Sequence, residues 1–249
     1  MSNRKLFDVS QKIVVVTGSA QGNGKVIADC FSDLGAIVCY ADIQSDIKVK
    51  NDKCCSYTLD VSSLGQIDNF YNWILDKYGK VDVLINNAGV TLAATDDIRE
   101  DIDRWDITHK TNTLGAYYLS VLISGLMSKG SSIINITSLA AELGFQGNPA
   151  YIASKGALKQ LSKALAYDFS SRGIRVNSIV PGYIKTNMTK SSFNDKKLKK
   201  IRDERIMLDR WGESSDLAGA CIFLSSNAAS YITGIDLPVD GGWLAKGMH

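Results

Sequence analysis

Tyr151 and Lys155 are the two residues of this 249-residue chain whose types and spacing point most directly to chemistry. They stand four apart in the run Tyr151-Ile-Ala-Ser-Lys155, and residues with this spacing share one face of a helix. A neighbouring ammonium favours the phenolate and lowers the pKa of a tyrosine from its usual value of about 10. Such a tyrosine could exchange a proton with a substrate near neutral pH. By itself the spacing is weak evidence, because it arises by chance in many helices.

A glycine-rich turn near the N-terminus indicates a dinucleotide site. The segment Thr17-Gly18-Ser-Ala-Gln21-Gly22-Asn23-Gly24 follows an apolar predicted strand and opens a predicted helix. Glycines in this context allow a tight turn, and the helix N-terminus offers free N–H groups to a pyrophosphate. The alternative is a turn that only links a strand to a helix.

Asp42 ends the second predicted strand and is the expected ligand of the adenosine ribose. A carboxylate at this place accepts hydrogen bonds from the 2′-hydroxyl and repels a 2′-phosphate. The residues that follow are Ile43 and Gln44, and no Arg or Lys lies in the glycine-rich turn. The sequence therefore predicts NAD rather than NADP. The alternative is a solvated acid at the end of a strand.

Short apolar runs alternate with stretches of helical periodicity along the whole chain. This alternation predicts an α/β fold: a single domain, residues 1–249, built as a doubly wound, Rossmann-type parallel sheet of about seven strands flanked by helices. The predicted strands are Ile13–Thr17, Ile37–Ala41, Ser56–Leu59, Val81–Asn86, Ser132–Thr137, Arg175–Val180 and Ile235–Pro238. The predicted helices are Gly24–Leu34, Ser63–Tyr78, Ile102–Lys129, Ala150–Arg172 and Ser214–Ser225.

Two irregularities are expected within this pattern. The third helix is long and is predicted to break near Lys110–Thr113. Only seventeen residues separate Asp42 from Asp60, and the first of them are polar and charged. Because a full crossover helix with its loops needs a dozen or more residues, this second connection is predicted to be short or irregular.

The composition excludes several classes of protein. A net charge of +2 does not favour binding to nucleic acid or to an anionic membrane surface. No secretory signal and no apolar run of transmembrane length is visible. With His109 and His249 as the only histidines, and five cysteines without metal-binding spacing, no metal site is predicted. Reduced thiols and a cytoplasmic location are expected.

Taken together, the motifs resemble those of the short-chain dehydrogenase/reductase family over nearly the whole chain. The nucleotide turn matches except at Asn23, where the family usually has an apolar residue. Asp60-Val61 resembles the segment that holds the adenine, and Asn86-Asn87-Ala88-Gly89 the motif that lies along the cofactor. The stretch Pro181-Gly182-Tyr-Ile184-Lys-Thr186 resembles the segment that contacts the nicotinamide carboxamide, and Tyr231–Trp243 resembles the final strand region.

The resemblance implies a catalytic tetrad of Asn112, Ser138, Tyr151 and Lys155. Tyr151 would exchange the proton of the substrate oxygen, and Ser138 would hydrogen-bond that same oxygen. Lys155 would lower the pKa of Tyr151 and hold the nicotinamide ribose, while Asn112 would bind a water that links Lys155 to solvent. Taken singly, Ser138 could only cap a strand, and Asn112 and Lys155 could be solvated helix residues.

The substrate is less well defined by the sequence. Residues 188–211 are predicted to form a mobile lid, and its basic stretch Lys196–Arg205 either attracts an anionic substrate or is a solvated helix face. The tail resembles that of sugar-acid dehydrogenases such as gluconate 5-dehydrogenase. The leading hypothesis is an NAD-dependent oxidoreductase of a sugar or sugar acid. A 3-oxoacyl-carrier-protein reductase and a catalytically silent NAD-binding regulatory protein are the alternatives, and the family resemblance implies a homotetramer or dimer.

Overall fold

A computed structural model describes residues 6–247, so that His249 lies outside the described part. Seven parallel strands form one sheet in the order β3-β2-β1-β4-β5-β6-β7, which confirms the predicted doubly wound sheet. Their bounds are β1 Ile13–Thr17, β2 Ile37–Asp42, β3 Cys55–Thr58, β4 Val83–Asn86, β5 Ser132–Ile136, β6 Arg175–Pro181 and β7 Asp236–Val239. The strand order reverses between β1 and β4, and ligands of such sheets bind at the carboxyl ends there.

Helices cover both faces of the sheet and produce two apolar cores. Val14 and Val16 of β1 point into one core with Phe31, whereas Val15 points into the other with Phe70. This alternation explains why β1 is apolar up to its last residue, Thr17, since both of its faces are buried. The helices are α1 Gly22–Asp33, α2 Leu64–Tyr78, α3 Ile98–His109, α4 Ala116–Ser124, α5 Pro149–Asp168, α6 Lys190–Asn194, α7 Lys196–Asp203 and α8 Ser214–Ser225.

The third predicted helix is broken as expected. A π-helical turn at Lys110–Gly115 separates α3 from α4, and such turns often accompany functional sites. The predicted ends were wrong by several residues: α3 begins earlier because Asp97 caps it by accepting the N–H of Arg99, and α4 ends at Ser124. Similarly, α5 ends at Asp168 rather than at Arg172, because a separate helical turn occupies Ser170–Arg172.

The connection from β2 to β3 contains no helix, which confirms the predicted irregular crossover. All five cysteines are free thiols. Within residues 6–247, no helix is both long enough and apolar enough to span a membrane.

Candidate active site

The start of α5 positions Tyr151 and Lys155. Asn148 caps the helix by accepting the N–H of Tyr151 at 3.3 Å, and Pro149 occupies the first turn, where its missing N–H has no cost. The Lys155 Nζ lies 5.8 Å from the centroid of the Tyr151 ring and donates to the Ile136 carbonyl at 2.9 Å. Lys155 is only 4% exposed, so the end of β5 and the first turns of α5 bury a cation beside a phenol.

Ser138 brings the end of β5 to the same place. Its hydroxyl accepts the N–H of Ala140 at 3.1 Å and so caps a short helical turn. The same hydroxyl lies near enough to the Tyr151 side chain to lower the pKa of the phenol. Ser138 is therefore both a cap and a neighbour of the phenol, and a substrate oxygen placed between the two hydroxyls could be bound by both.

The electrostatics of this pair differ from the sequence-based prediction. Burial raises the pKa of Tyr151, and the Ser138 side chain is the influence that lowers it. Burial also lowers the pKa of Lys155 to about 8. Lys155 is not among the groups that shift the Tyr151 pKa: burial, which disfavours the phenolate, has the largest effect and raises it.

Asn112 lies in the π-helical turn and is 1% exposed. Its Nδ2 donates to the Val90 carbonyl at 2.9 Å and to the Ser154 hydroxyl at 3.0 Å, while its Oδ1 accepts the N–H of Val90 at 2.8 Å. Both amide donors are therefore engaged. The Asn112 side chain thus anchors the main chain after β4, and its expected role in binding a water stays a prediction.

The segment after β4 links β1 to the candidate catalytic residues. Asn87 donates through Nδ2 to the carbonyls of Thr17 and Gly18 at 2.9 and 3.0 Å. The Thr17 hydroxyl accepts the N–H groups of Asn87 and Ala88, both at 3.0 Å. A Cβ at Gly89 would lie 3.2 Å from Asn112 Oδ1 and 3.4 Å from Lys155 Nζ. The structure thus joins this motif to both the nucleotide turn and the tetrad.

The glycine-rich turn has the shape that a pyrophosphate requires. A Cβ at Gly24 would lie 2.1 Å from the Gly18 carbonyl, so that only glycine permits this closure of the turn onto α1. Around Gly22 no atom lies within 4 Å of the corresponding position. Gln21 precedes the helix without a side-chain cap, and no acid occupies the first turn. The free N–H groups of α1 and the open space above them fit a dinucleotide phosphate.

Asp42 ends β2 next to this turn and is 7% exposed. Its two carboxylate oxygens accept the N–H groups of Ala20 and Gln44 at 2.9 and 3.0 Å, which fixes the orientation of the carboxylate. Lys25, the nearest basic residue along α1, forms an ion pair with Asp29 at 2.5 Å. Ile43 is 66% exposed, so its side chain lies at the outer rim of this site.

Asn23 departs from the family pattern, and the structure gives a local reason. Its Oδ1 accepts the hydroxyl of Ser214, the first residue of α8, at 2.7 Å. The amide therefore connects the first turn of α1 to α8 by a polar contact. At the adenine side, the Asp60 carboxylate binds the N–H and hydroxyl of Ser62, and Val61 is buried in the core.

The segment after β6 lies opposite the nucleotide turn. Pro181 is the last strand residue, and a Cβ at Gly182 would lie 2.5 Å from Asp240 Cα. Ile184 is buried and Thr186 begins a short helical turn closed by Thr189. Asn187 donates to Gln21 Oε1 at 3.2 Å, so the residue just before the predicted lid, residues 188–211, contacts the nucleotide turn.

Several residues of this site were missed by the sequence analysis. Ser154 and Thr17 organise the site by accepting hydrogen bonds, and the carbonyls of Val90 and Ile136 hold Asn112 and Lys155. The main-chain groups carry no sequence signal. Asn148 before Pro149 is different, because a capping residue before proline is a recognisable helix start.

A cavity of about 480 Å³ lies elsewhere, between α3, α4 and α5. Its lining residues are Asp106, His109, Lys110, Thr113, Leu114, Tyr117, Ala157 and Leu161, none of which was predicted as a site residue. His109 stacks on Trp105 with 4.7 Å between the ring centroids, and burial lowers its pKa. This histidine packs against Trp105 of its own helix.

Comparison with known proteins gives a consistent assignment. A family model described as "Enoyl-(Acyl carrier protein) reductase", of the short-chain alcohol dehydrogenase type, matches residues 18–244. The chain is 33% identical over 253 residues to an NAD-dependent glycerol dehydrogenase from Listeria innocua, covering 97% of both chains. It is 34% identical over 253 residues to a 2-dehydro-3-deoxy-D-gluconate 5-dehydrogenase from Pseudoalteromonas atlantica, covering 96% of this chain and 98% of the relative.

A solved structure extends the comparison to the fold. It is a gluconate 5-dehydrogenase from Burkholderia cenocepacia in complex with NADP and tartrate, with 26% identity and a TM-score of 0.88, covering 98% of this chain and 99% of the other. The predicted family and its NAD(P)-dependent reaction class, oxidoreduction at CH–OH groups, are confirmed. The chain belongs to the short-chain dehydrogenase/reductase family.

Proposed function

We propose that the protein is an NAD-dependent dehydrogenase that oxidises a secondary alcohol of a sugar or sugar acid, or reduces the corresponding ketone. The observation that carries this proposal is the buried Lys155, whose Nζ lies 5.8 Å from the centroid of the Tyr151 ring at the end of β5. The names of the gluconate-type and glycerol-type relatives support the class of substrate.

In this proposal each residue of the tetrad handles the substrate oxygen or its proton. The nicotinamide ring supplies the hydride acceptor for oxidation or the hydride donor for reduction. Tyr151 removes the hydroxyl proton during oxidation and returns it during reduction. Ser138 hydrogen-bonds the same oxygen and stabilises its partial negative charge. Lys155, with a pKa of about 8, can exchange a proton near neutral pH, and Asn112 holds the Gly89–Val90 main chain in place.

The same proposal assigns the cofactor to NAD and the glycine-rich turn to its pyrophosphate. Two observations support NAD. The Asp42 carboxylate is fixed by two N–H groups, and Lys25, a cation that could otherwise attract a 2′-phosphate, is already paired with Asp29. The residues proposed to line the cofactor site are Gly18, Gln21, Gly22, Asn23, Gly24, Asp42, Ile43, Asp60, Val61, Asn87, Ala88, Gly89, Tyr151, Lys155, Pro181, Gly182, Ile184 and Thr186. The bond between Asn187 and Gln21 supports a lid at residues 188–211 that closes toward this turn.

The proposed assembly is a homodimer or homotetramer. Its support is an apolar stripe along α3 and α4, whose exposed side chains follow helical spacing: Ile98, Ile102, Trp105, Ile107, Leu114, Tyr117 and Val121. The cavity of about 480 Å³ opens on this face, and a second copy of the chain could fill it. Light scattering tests the assembly, and a monomer at working concentration would contradict it. The five free thiols support the proposed cytoplasmic location.

The decisive experiment measures NADH formation from NAD with a panel of sugar acids, polyols, sugar nucleotides and 3-hydroxyacyl thioesters. NADP and the Tyr151→Phe protein serve as parallel controls. Turnover of one sugar-type substrate that depends on Tyr151 is the expected result. If neither NADH formation with this panel nor NADH consumption with the corresponding ketones were detected, the protein would be an NAD-binding protein without catalytic activity.

A second candidate is an acyl-carrier-protein-linked reductase. The description of the matching family model favours it, and the basic helix α7 could dock an acidic carrier protein. Asp42 argues against this candidate, because reductive biosynthetic enzymes of this kind usually use NADPH. Preference for acyl thioesters over sugar acids in the same panel would establish it.

A further inference from the structure

The structure separates the basic residues of α7 into an outer and an inner group. Lys196, Lys197 and Lys200 are exposed, and Lys199 forms an ion pair with Asp203. These four fit a solvated helix face. Arg202 is different, because it turns toward the body of the protein and packs on aromatic rings.

The guanidinium of Arg202 is held without a counter-ion. Its Cζ lies 4.6 Å from the centroid of the Tyr183 ring and 6.0 Å from that of Trp211. Burial raises the pKa of the Tyr183 phenol and the guanidinium lowers it, but Arg202 Nη1 is buried and has no hydrogen-bond partner among residues 6–247. Arginine does not lose its charge. A buried charged donor without an acceptor is costly, which makes Nη1 a strong site for an anion.

A second unsatisfied donor lies against the same tyrosine. The Trp243 indole Nε1 is buried and has no partner in the described part of the chain, and the residue is 4% exposed. The rings of Trp243 and Tyr183 are 5.7 Å apart between centroids. Two buried donors, one on the guanidinium over Tyr183 and one on the indole beside it, are therefore left without acceptors among residues 6–247. Such groups are rare unless a ligand or water satisfies them.

Tyr183 connects these donors to the candidate catalytic residues. It follows Pro181–Gly182 at the carboxyl end of β6 and packs in one apolar cluster with Leu139, Trp211 and Trp243. Leu139 is the residue next to Ser138. The cluster thus extends from the hydroxyl pair of Ser138 and Tyr151 to the inner side of α7.

The other basic side chains near α7 either form ion pairs or are exposed to solvent. Lys185 lies 3.5 Å from Glu213, and Arg210 pairs with Asp216 at 2.8 Å. Arg205 lies over the Trp243 ring at 4.3 Å but is exposed. Among the basic residues of this region, Arg202 is half-buried, packs on aromatic rings and has a buried donor, Nη1, without a partner in the described part of the chain.

We propose that Arg202 and the Trp243 indole N–H bind the carboxylate of an acidic substrate, and that they set a preference for sugar acids over neutral polyols. This inference rests on the proposed dehydrogenase function. A guanidinium offers paired donors that match a carboxylate. The rings of Tyr183 and Trp211 fix its plane and exclude water, which strengthens the charge interaction.

The test compares D-gluconate with D-sorbitol, which carries a neutral CH2OH group in place of the carboxylate. Steady-state kcat and KM with NAD are measured for the wild type and for Arg202→Gln, Arg202→Lys and Trp243→Phe. Lys200→Gln is the matched control, because it removes one positive charge from the exposed side of the same helix. Thermal unfolding establishes that each variant is folded.

Arg202→Gln is expected to lower kcat/KM for gluconate by about 10-fold to 150-fold, mainly through KM, because a charge-assisted hydrogen bond to the carboxylate is lost. The kcat/KM for sorbitol should change by less than about threefold. The kcat/KM of Arg202→Lys for gluconate should lie between those of the wild type and Arg202→Gln. Trp243→Phe should lower kcat/KM for gluconate by about fivefold and leave that for sorbitol unchanged. Equal losses for Arg202→Gln and Lys200→Gln, or equal losses for both substrates, would overturn the inference.

Binding is measured separately, so that this inference and the proposed function can fail independently. Gluconate and sorbitol are titrated into the NADH-saturated protein while tryptophan fluorescence is followed. Tighter binding of gluconate that is lost in Arg202→Gln supports the carboxylate site even if no alcohol is turned over. Turnover without any difference in binding between the two compounds overturns the site and leaves the dehydrogenase proposal intact.

Discussion

Asn112 binds both polar groups of the Val90 main chain, through Nδ2 to the carbonyl at 2.9 Å and through Oδ1 from the N–H at 2.8 Å. The third bond, to the Ser154 hydroxyl, attaches the π-helical turn to α5. One buried amide therefore holds the segment after β4 against the helix that carries Tyr151 and Lys155. The position of Gly89 beside Lys155 Nζ depends on this arrangement.

Replacing Asn112 by Asp is expected to weaken both the fold and the site. The carboxylate has the shape of the amide but cannot donate to the Val90 carbonyl and the Ser154 hydroxyl. Buried oxygen atoms that can only accept hydrogen bonds would then face one another. Losses of this kind cost about 1–3 kcal/mol, which urea unfolding measures directly. The same change at Asn227, an exposed residue, is the matched control and should alter stability by less than about 0.5 kcal/mol. Equal effects at the two positions would contradict the anchoring role.

Tyr151→Phe removes the hydroxyl but keeps the ring, and should lower kcat by about 10²–10⁴-fold, the range of general acid–base catalysis. The affinity for NADH should change by less than about threefold, because the proposed cofactor contacts are otherwise retained. Tyr231→Phe is the control, since that side chain is fully exposed. Turnover rates and fluorescence titration with NADH check both expectations. Wild-type activity in Tyr151→Phe would remove this residue from the mechanism.

The buried Lys155 predicts a specific dependence of stability on pH. Its pKa of about 8 in the folded protein lies below the ordinary value of 10.5, so the unfolded chain binds the proton more tightly. Folding is therefore opposed below about pH 8, and stability is recovered as the pH rises from about 8 toward 10.5. Between pH 7.5 and 9.5, the free energy of unfolding of the wild type should gain about 2 kcal/mol relative to that of Lys155→Met.

Urea unfolding of both proteins at the two pH values measures this difference without any need for catalytic activity. The comparison cancels other titrating groups, because the two proteins share them. A constant difference between wild type and Lys155→Met would mean that Lys155 keeps an ordinary pKa in the fold.

The sequence predicted the sheet and the main motifs because their signals are local. A strand buried on both faces is apolar up to its last residue, as in β1, and the turn around Gly24 needs glycines for steric reasons that hold in any such fold. The roles of side chains depended on contacts that no local pattern shows. The Asn112 side chain, for example, bonds Val90 and Ser154, which come from distant segments of the chain. The basic residues of α7 look alike in sequence, and only packing against Tyr183 distinguishes Arg202.

Gly24→Ala is expected to disrupt the nucleotide turn. The added methyl group would lie 2.1 Å from the Gly18 carbonyl and 2.5 Å from Asn87 Nδ2, so the turn must open and the affinity for NADH should fall by about tenfold or more. Gly219→Ala is the matched control, because it is also a helical glycine and no atom lies within 4 Å of its Cβ position. That change should stabilise the protein by up to about 1 kcal/mol. Unchanged NADH affinity in Gly24→Ala would argue against a close turn at this position.

Cofactor preference provides the sharpest test of the ribose site. In Asp42→Ala combined with Ile43→Arg, a fixed negative charge is removed and a positive charge is added at the exposed rim beside it. Opposite charges 4 Å apart near a protein surface attract by about 4 kcal/mol or less, so the ratio of kcat/KM for NADP to that for NAD should rise by about tenfold to 100-fold. Asp42→Asn removes the negative charge but keeps the local structure, because the amide oxygen can still accept the N–H of Ala20. Its ratio should lie between those of the wild type and the double variant, and equal ratios in all three proteins would show that the 2′ position is recognised by other residues.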